Sequence, residues 1–461
     1  MYGNLTPELV ENIKNIVGEK NVISEHSLMG DYAKDEFALS EEIEHYPDIV
    51  VKPASTEEVS KVVKLAYENN IPITPRGAGT GLSGGCVPVK GGIVLSTERM
   101  TKIIEIDEKN FTITAEAGVR LMEVFEAVEA KKLFFPPHPG DTSAMVGGAI
   151  VTNAGGARAV KYGVMRNFIR GMEVVLPDGK VMEIGGKFVK DCSGYSLLNL
   201  FIGSEGTLGI VTKGTLKLVA PPVSQNMLIV PYNSLQEAIE SVPDILRTGV
   251  IPMSLEFMED ELIGPTEELM KKKWPVMRAK AYLMIIVDST SDDESMNLCM
   301  RITEVCMEKN ALDAFFIDNR KQQEQLLEFR GNFYEALKDE TVEILDITVP
   351  PSAIAEYVEG TKELSKKYRI RLLNYGHAGD GNVHTHIMKD EDWKEKYEPL
   401  RKEIHELGIK LGGTITGEHG VGLTKKSYLE EFEPDKVELM RAIKRAIDPK
   451  NIMNPGKIVD I

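Results

Sequence analysis

The sequence predicts an α+β protein of two differently textured domains and a short C-terminal segment. Three observations lead there. Glycine-, serine- and threonine-rich tracts alternate with strand signals over the first 220 residues. After Ala220-Pro221-Pro222 the glycine density falls, and helix-like segments alternate with strands such as AYLMIIVD at 281–288. A last amphipathic stretch, PDKVELMRAIKRAID, runs into an Asn-Pro-Gly turn. The divisions are accordingly expected at 1–220, 221–415 and 416–461, the middle one with an antiparallel sheet and flanking helices.

The elements follow in order. MYGNLTPELVENIKNIVGEK reads as a polar amphipathic helix rather than a signal peptide. DIVVKP (48–53) is a short apolar strand. In ASTEEVSKVVKLAYENN, Thr56 is placed to cap a helix on which Val59, Val62, Val63 and Ala66 recur at helical spacing. IPITP (71–75) is a strand again, which completes a βαβ unit. Strands follow at GIVLST (92–97), TKIIEID (101–107) and FTITAEAGV (111–119), then a helix at RLMEVFEAVEAKK.

Out of the second strand comes PRGAGTGLSGG, Pro75–Gly85, with glycines at 77, 79, 81, 84 and 85. Glycine permits positive φ and close approach of a ligand to the backbone. Successive N–H groups in such a loop form a concave anion site. A nicotinamide-binding Rossmann loop is rejected, because that loop opens a helix. Here Pro88 and Gly91-Gly92 forbid a helix, and a strand follows. Two further tracts, FFPPHPGDTSAMVGGAIVTNAGG (134–156) and FIGSEGTLGIVTKGTLKL (201–218), suit the same kind of extended polar ligand.

Bulk properties narrow the class. The 461 residues suffice for two or three domains with a sizeable core. The net charge of −17 argues against a nucleic-acid partner and leaves a surface for a basic protein partner open. Cys86, Cys192, Cys299 and Cys306 make no CxxC pair, which argues against an iron–sulfur cluster or zinc ribbon. Such sparse cysteine usage fits a reducing compartment, so a cytoplasmic location is expected. No apolar run reaches membrane-spanning length. The acidic runs EEIEH and LEEFEPDK read as solvated faces, and His26, His45 and His405 as surface or core positions.

NYGHAGDGNVHTH places His377, His384 and His386 within thirteen residues. If 383–387 is a strand, His384 and His386 share a face. Glu418 and His419 follow in ITGEHGVG. Neutral imidazoles with a carboxylate suit a divalent metal site with an open position. The spacing alone also admits a hydrogen-bonded polar loop, or an active-site histidine without metal.

Taken together, PRGAGTGLSGG, HPGDTSAMVGGAIVTNAGG, GSEGTLGIVT, GHAGDGNVH, GEHGVG and the terminal NPGK occur in an order that resembles the FAD-linked oxidases of the vanillyl-alcohol-oxidase type. The likeness is closest to the branch holding D-lactate dehydrogenase, the glycolate oxidase catalytic subunit and D-2-hydroxyglutarate dehydrogenase. The resemblance implies a two-part FAD-binding domain, a cap domain, and a C-terminal segment closing over the flavin. It implies cofactor contacts at Arg76, Gly77, Ala78, Gly79, Thr80, Gly81 and Ser83 in the first tract. In the second tract it implies Pro139, Gly140, Asp141, Thr142, Ser143, Gly147, Gly148, Asn153 and Gly156, with Glu205, Gly206, Ile210 and Asn454 further on. His138 reads as part of the same turn. Some relatives attach the flavin through a histidine in this loop. Thr80 stands at that position here, so FAD is expected to be non-covalent.

The resemblance also assigns His377, His384 and Glu418 as ligands of a divalent metal, iron(II) or zinc(II). His419 becomes the candidate base, because histidine titrates near working pH. Arg330, in LLEFRGNFYEALK, aligns with the carboxylate-binding arginine. His386 stands where some 2-hydroxyglutarate-oxidising relatives have asparagine, and is expected to touch substrate or to add a ligand. ILDITVP (344–350) lacks a lysine associated with dicarboxylate oxidation, and Tyr334 replaces a small hydroxyl residue. Both departures favour a small monocarboxylate. The expected activity is an FAD- and metal-dependent D-2-hydroxy-acid dehydrogenase, D-lactate to pyruvate, with an electron-transfer flavoprotein as acceptor. The alternatives are a glycolate or D-2-hydroxyglutarate dehydrogenase, a flavin-dependent transferase of the same fold, and a non-catalytic flavin subunit.

Overall fold

The computed structural model describes residues 2–37, 39 and 44–461, so Glu41, Glu42 and Ile43 of the first acidic run lie outside the described residues. The chain forms two compact units. The first comprises Met1–Ala154, Val164–Pro221 and Glu418–Ile461; the second comprises Gly155–Gly163 and Pro222–Gly417.

The first unit holds two sheets. In the smaller, strands run in the order Val22–Ile23, Ile49–Val51, Ile93–Ser96, Ile73–Arg76. The predicted βαβ unit is present, but its strands are not neighbours: Ile93–Ser96 lies between them, parallel to both. The connecting helix Thr56–Glu68 is capped by Ser55, whose hydroxyl accepts from the Glu58 N–H. The expectation of Thr56 as cap is therefore off by one. Thr56 is the first helical residue and its hydroxyl donates to Glu173. Val59, Val62, Val63 and Ala66 are buried against Ile49, Ile73 and Leu95, as their spacing predicts. Each such burial contributes roughly 1–3 kcal/mol. The larger sheet is antiparallel, in the order Ile103–Asp107, Thr112–Glu116, Ile210–Lys217, Ile169–Val175, Val181–Gly185.

The second unit is built on a seven-stranded antiparallel sheet. Its order is Phe315–Ile317, Ser224–Tyr232, Ala281–Ser289, Ser254–Glu259, Leu372–His377, Asn382–Met388, Thr341–Thr348. Helices tether to one face through polar side chains. Asn226 Nδ2 donates to Ser295 Oγ (2.7 Å), Tyr357 and Thr385 hydroxyls meet at 3.1 Å, and Tyr397 donates to Glu343 (2.7 Å). Cross-strand register puts Glu256, Tyr375, His377, His384 and Asp346 on the opposite face. The Gly155–Gly163 excursion is held to this unit by Asp288, which receives Lys161 Nζ at 2.6 Å and the Tyr162 hydroxyl at 2.7 Å. Among the described residues, no helix is long and apolar enough to cross a membrane.

Candidate functional site

The first unit carries the glycine tracts. Gly79 and Gly84 have φ of +82° and +71°, which is why the loop after Arg76 needs glycine there. Arg76 turns back into its own loop: Nη1 donates to the Lys34 carbonyl (2.7 Å) and lies 3.0 Å from Cys86 Sγ. A Cβ on Gly79 would sit 2.1 Å from Nη2. Ala78 and Gly81 are left exposed, with Thr80 half-buried between them. In the second tract Gly147 is a packing glycine, since a Cβ there would lie 2.7 Å from Ala117 Cβ. At Gly140 and Gly148 a Cβ would meet nothing within 4 Å. Bare backbone facing open space beside a positive-φ loop is the shape a diphosphate needs, so these residues fit FAD.

The remaining expected cofactor residues divide by what their side chains do. Asp141 accepts the Ser143 N–H at 2.7 Å, and the Thr142 carbonyl accepts from Met122. Asn153 closes the Val146–Thr152 helix at φ +53°. Gly156 lies in the excursion that belongs to the second unit. The Ile210 side chain is in the core. Gly206, at φ +71°, packs where a Cβ would come within 2.9 Å of Pro75. His138 stacks on Phe125, ring centroids 5.2 Å apart.

Glu205 and Asn454 knit distant segments of this unit together. The buried Glu205 carboxylate accepts the N–H groups of Val421 and Gly422, both at 2.8 Å. Burial pushes its pKa up, against the lowering pull of those two N–H groups and of Lys425 and Lys457. Asn454 Nδ2 donates to the Glu205 carbonyl (2.7 Å) and to the Gly85 carbonyl (2.9 Å). Ser83 donates to the carbonyls of His419 (2.9 Å) and Gly420 (3.1 Å). Gly422 has φ +51°, and a Cβ on it would fall 2.1 Å from the Ser83 carbonyl oxygen. The first glycine loop and the Glu418–His419 turn are thus fixed to each other by the Ser83 hydroxyl and by close backbone packing at Gly422. Within that turn, His419 Nε2 lies 3.9 Å from Glu418 Oε1.

In the second unit Asn382–Met388 is a strand, so His384 and His386 do share a face. His377 and His384 stand perpendicular with ring centroids 5.3 Å apart. His377 Nδ1 lies 2.7 Å from Glu256 Oε1. Glu256 Oε2 also receives Arg330, at 2.9 Å from Nε and 2.7 Å from Nη2. Burial would raise the Glu256 pKa, but His377 and Arg330 outweigh it and hold the carboxyl below its usual range. His386 is fully buried, with Nδ1 2.9 Å from the Thr341 hydroxyl and Nε2 3.3 Å from the Tyr375 hydroxyl. The Tyr334 ring is 6.3 Å from it.

Two acids in this unit escaped sequence reasoning. Asp346 pairs in register with His384, and the two offer ligand atoms within 4.8 Å of each other. Its Oδ2 accepts the Thr416 hydroxyl (2.8 Å) and the Gly417 N–H (3.1 Å). Glu256 is the other. The available signal was an acid inside an apolar strand, ILDIT or SLEFM, because a buried carboxylate requires a partner. The partners themselves are tens to more than a hundred residues away in the chain. Nitrogen and carboxylate donors of this kind fit zinc(II) or iron(II).

Two family models match the chain: FAD binding domain over residues 47–185 and FAD linked oxidases, C-terminal domain, over residues 221–458. D-lactate dehydrogenase of Archaeoglobus fulgidus is 45% identical over 89% of this chain and 91% of its own. D-lactate dehydrogenase of Anaerostipes hadrus is 39% identical over 99% and 98%. Glycolate oxidase subunit GlcD of Bacillus subtilis is 38% identical over 98% and 97%. Among solved structures, substrate-bound p-cresol methylhydroxylase superposes with a TM-score of 0.81 at 19% identity, covering 98% of this chain and 96% of its own. An alkyldihydroxyacetonephosphate synthase gives 0.77 at 18% identity, over 99% and 87%. At that identity the likeness establishes the fold, and the expected α+β architecture of FAD-binding and cap domains is borne out.

Proposed function

The chain belongs to the FAD-linked oxidases, and on that premise we propose that it is an FAD- and metal-dependent D-2-hydroxy-acid dehydrogenase that converts D-lactate to pyruvate. The observation that carries this reading is the sheet face on which Glu256 holds both His377 and Arg330 while Asp346 pairs with His384. It sets metal-type donors beside a cation for a carboxylate. The D-lactate dehydrogenases at 45% and 39% identity support the substrate class.

FAD, when bound, would supply a hydride acceptor for the α-carbon, and a divalent metal would supply polarisation of the hydroxyl. His377, His384 and Glu418 would hold the metal, with Asp346 as a further carboxylate beside His384. Arg330 binds the substrate carboxylate. Its Nε–Nη2 edge is turned to Glu256, which leaves the Nη1 side for the substrate. His419 takes the hydroxyl proton on a ring nitrogen while the hydride leaves, which balances the conversion of alcohol to ketone. Ser83 and Glu205 brace the backbone that carries His419. His386 meets the Tyr375 hydroxyl and would set that side chain beside the substrate. The glycine tracts hold FAD without a covalent bond, since Thr80 offers no nucleophilic ring nitrogen. An electron-transfer flavoprotein would be the electron acceptor, a reading that rests on the sequence resemblance, and the sparse cysteine usage fits a cytoplasmic location.

The test is anaerobic mixing of the purified flavoprotein with D-lactate, L-lactate, glycolate and D-2-hydroxyglutarate. Bleaching of the flavin band is expected with D-lactate first. No bleaching by any 2-hydroxy acid would sink the reading. His384→Ala should lose its metal, and unchanged metal content would remove the ligand set.

A further inference from the structure

Glu256 sits at a junction. It is 2% exposed and lies on the central strand Ser254–Glu259, opposite His377 in register. Its two oxygens divide between two partners. Oε1 lies 2.7 Å from His377 Nδ1, and Oε2 meets both Nε and Nη2 of Arg330. Arg330 comes from the helix Arg320–Gly331 and sits over Tyr375, its Cζ 4.6 Å from the ring centroid. The guanidinium is thus clamped along one edge by Glu256, with Tyr375 beneath it.

A carboxylate only accepts hydrogen bonds. Facing Glu256, a neutral His377 carries its proton on Nδ1, which makes Nε2 the lone-pair nitrogen that can ligate a metal. The same carboxylate fixes which side of Arg330 a substrate carboxylate can meet. The geometry points to Glu256 as a positioning residue that sets the His377 tautomer for metal binding and the Arg330 orientation for substrate binding at once. This inference rests on the proposed roles of His377 and Arg330.

Glutamine separates the two tasks. Both partners are donors, and an amide of the same size offers one acceptor oxygen and one NH₂. With the oxygen toward Arg330, the NH₂ drives His377 to the tautomer that cannot ligate through Nε2. With the oxygen toward His377, the NH₂ opposes the guanidinium. Glu256→Gln should therefore weaken either zinc binding or D-lactate binding by about tenfold or more, and Glu256→Ala should weaken both.

Three readouts on the purified flavoprotein test this: the zinc dissociation constant by chelator competition, KM against kcat for D-lactate with an artificial acceptor, and ¹⁵N-histidine spectra of the metal-free chain. His377→Ala identifies the His377 resonances. The wild type should show the Nδ1-protonated form of His377, and Glu256→Ala a mixture. If Glu256→Gln lowers the melting temperature but leaves zinc affinity and KM within twofold of wild type, the carboxylate is structural and the inference is overturned. Glu256→Ala with an unchanged His377 tautomer overturns it as well. Wild-type protein that neither binds zinc nor oxidises a 2-hydroxy acid refutes the proposed function instead; the tautomer readout still decides the role of Glu256 toward His377.

Discussion

Replacing Glu205 by alanine should unfasten the turn that carries Glu418 and His419. In the native unit the Glu205 carboxylate accepts two backbone N–H groups, from Val421 and Gly422, at 2.8 Å each. Hydrogen bonds to a charged acceptor contribute about 1.5–3 kcal/mol each, so the gross loss is about 3–6 kcal/mol. Burial opposes the ionised carboxyl, and alanine removes that cost. A net local loss of about 2–4 kcal/mol remains. Because about 1.4 kcal/mol is a factor of ten, amide exchange should speed up by roughly 30- to 1,000-fold if opening of this turn governs it. Hydrogen exchange read by mass spectrometry on peptides spanning 416–425 measures this directly. Glu205→Gln keeps one acceptor and should fall between. The flavin content of both variants should drop, because the turn that the Glu205 carboxylate holds is also tied to the first glycine loop through Ser83. Exchange at Val421 and Gly422 that stays within threefold of wild type in Glu205→Ala would refute the reasoning.

Two other perturbations probe the same unit. Burial pushes the Asp35 pKa up to about 6 from 3.8, so the folded state holds a proton between those values that the unfolded chain has released. The stability contribution is present below about pH 4 and lost as pH rises through about 6. Asp35→Asn should therefore raise stability at pH 7 by up to roughly 3 kcal/mol and flatten the profile between pH 4 and 6, read by urea unfolding at each pH. The buried Lys444 bridges Asp448 and the carbonyls of Thr207 and Met453. Lys444→Ala leaves Asp448 as a buried charge without a cation, held by the Ile452 and Met453 N–H groups, and should cost about 3–5 kcal/mol, with partial recovery in Lys444→Ala/Asp448→Asn; an unchanged melting temperature in the single variant would contradict this.

Local pattern carried much of the fold. Val59, Val62, Val63 and Ala66 needed only helical spacing to be placed in the core, and NVHTH needed only the strand period of two to put His384 and His386 on one face. The positive-φ glycines of Pro75–Gly85 were readable because few other residues tolerate that backbone. The cap of the Thr56–Glu68 helix slipped by one residue, since Ser55 and Thr56 are both capping types and only the backbone angles separate them. The insertion of Ile93–Ser96 between the two strands of the βαβ unit was not legible, because apolar strand residues do not name their neighbours.

By itself the sequence determined which residue types stand ready: glycines where the backbone must turn, histidines at alternate strand positions, an arginine on a helix, and an ordered set of motifs that identifies the family. Tertiary structure alone decided what each of them faces. Glu256 is 121 residues from His377 and 74 from Arg330, yet it touches both. Asp346 reaches His384 across a strand pair, and Glu205 reaches the 421–422 turn across more than two hundred residues. Periodicity along the chain fixes the face a side chain takes, because that depends on local backbone geometry. Its partner depends on sheet order and register, which arise only when distant segments pack together.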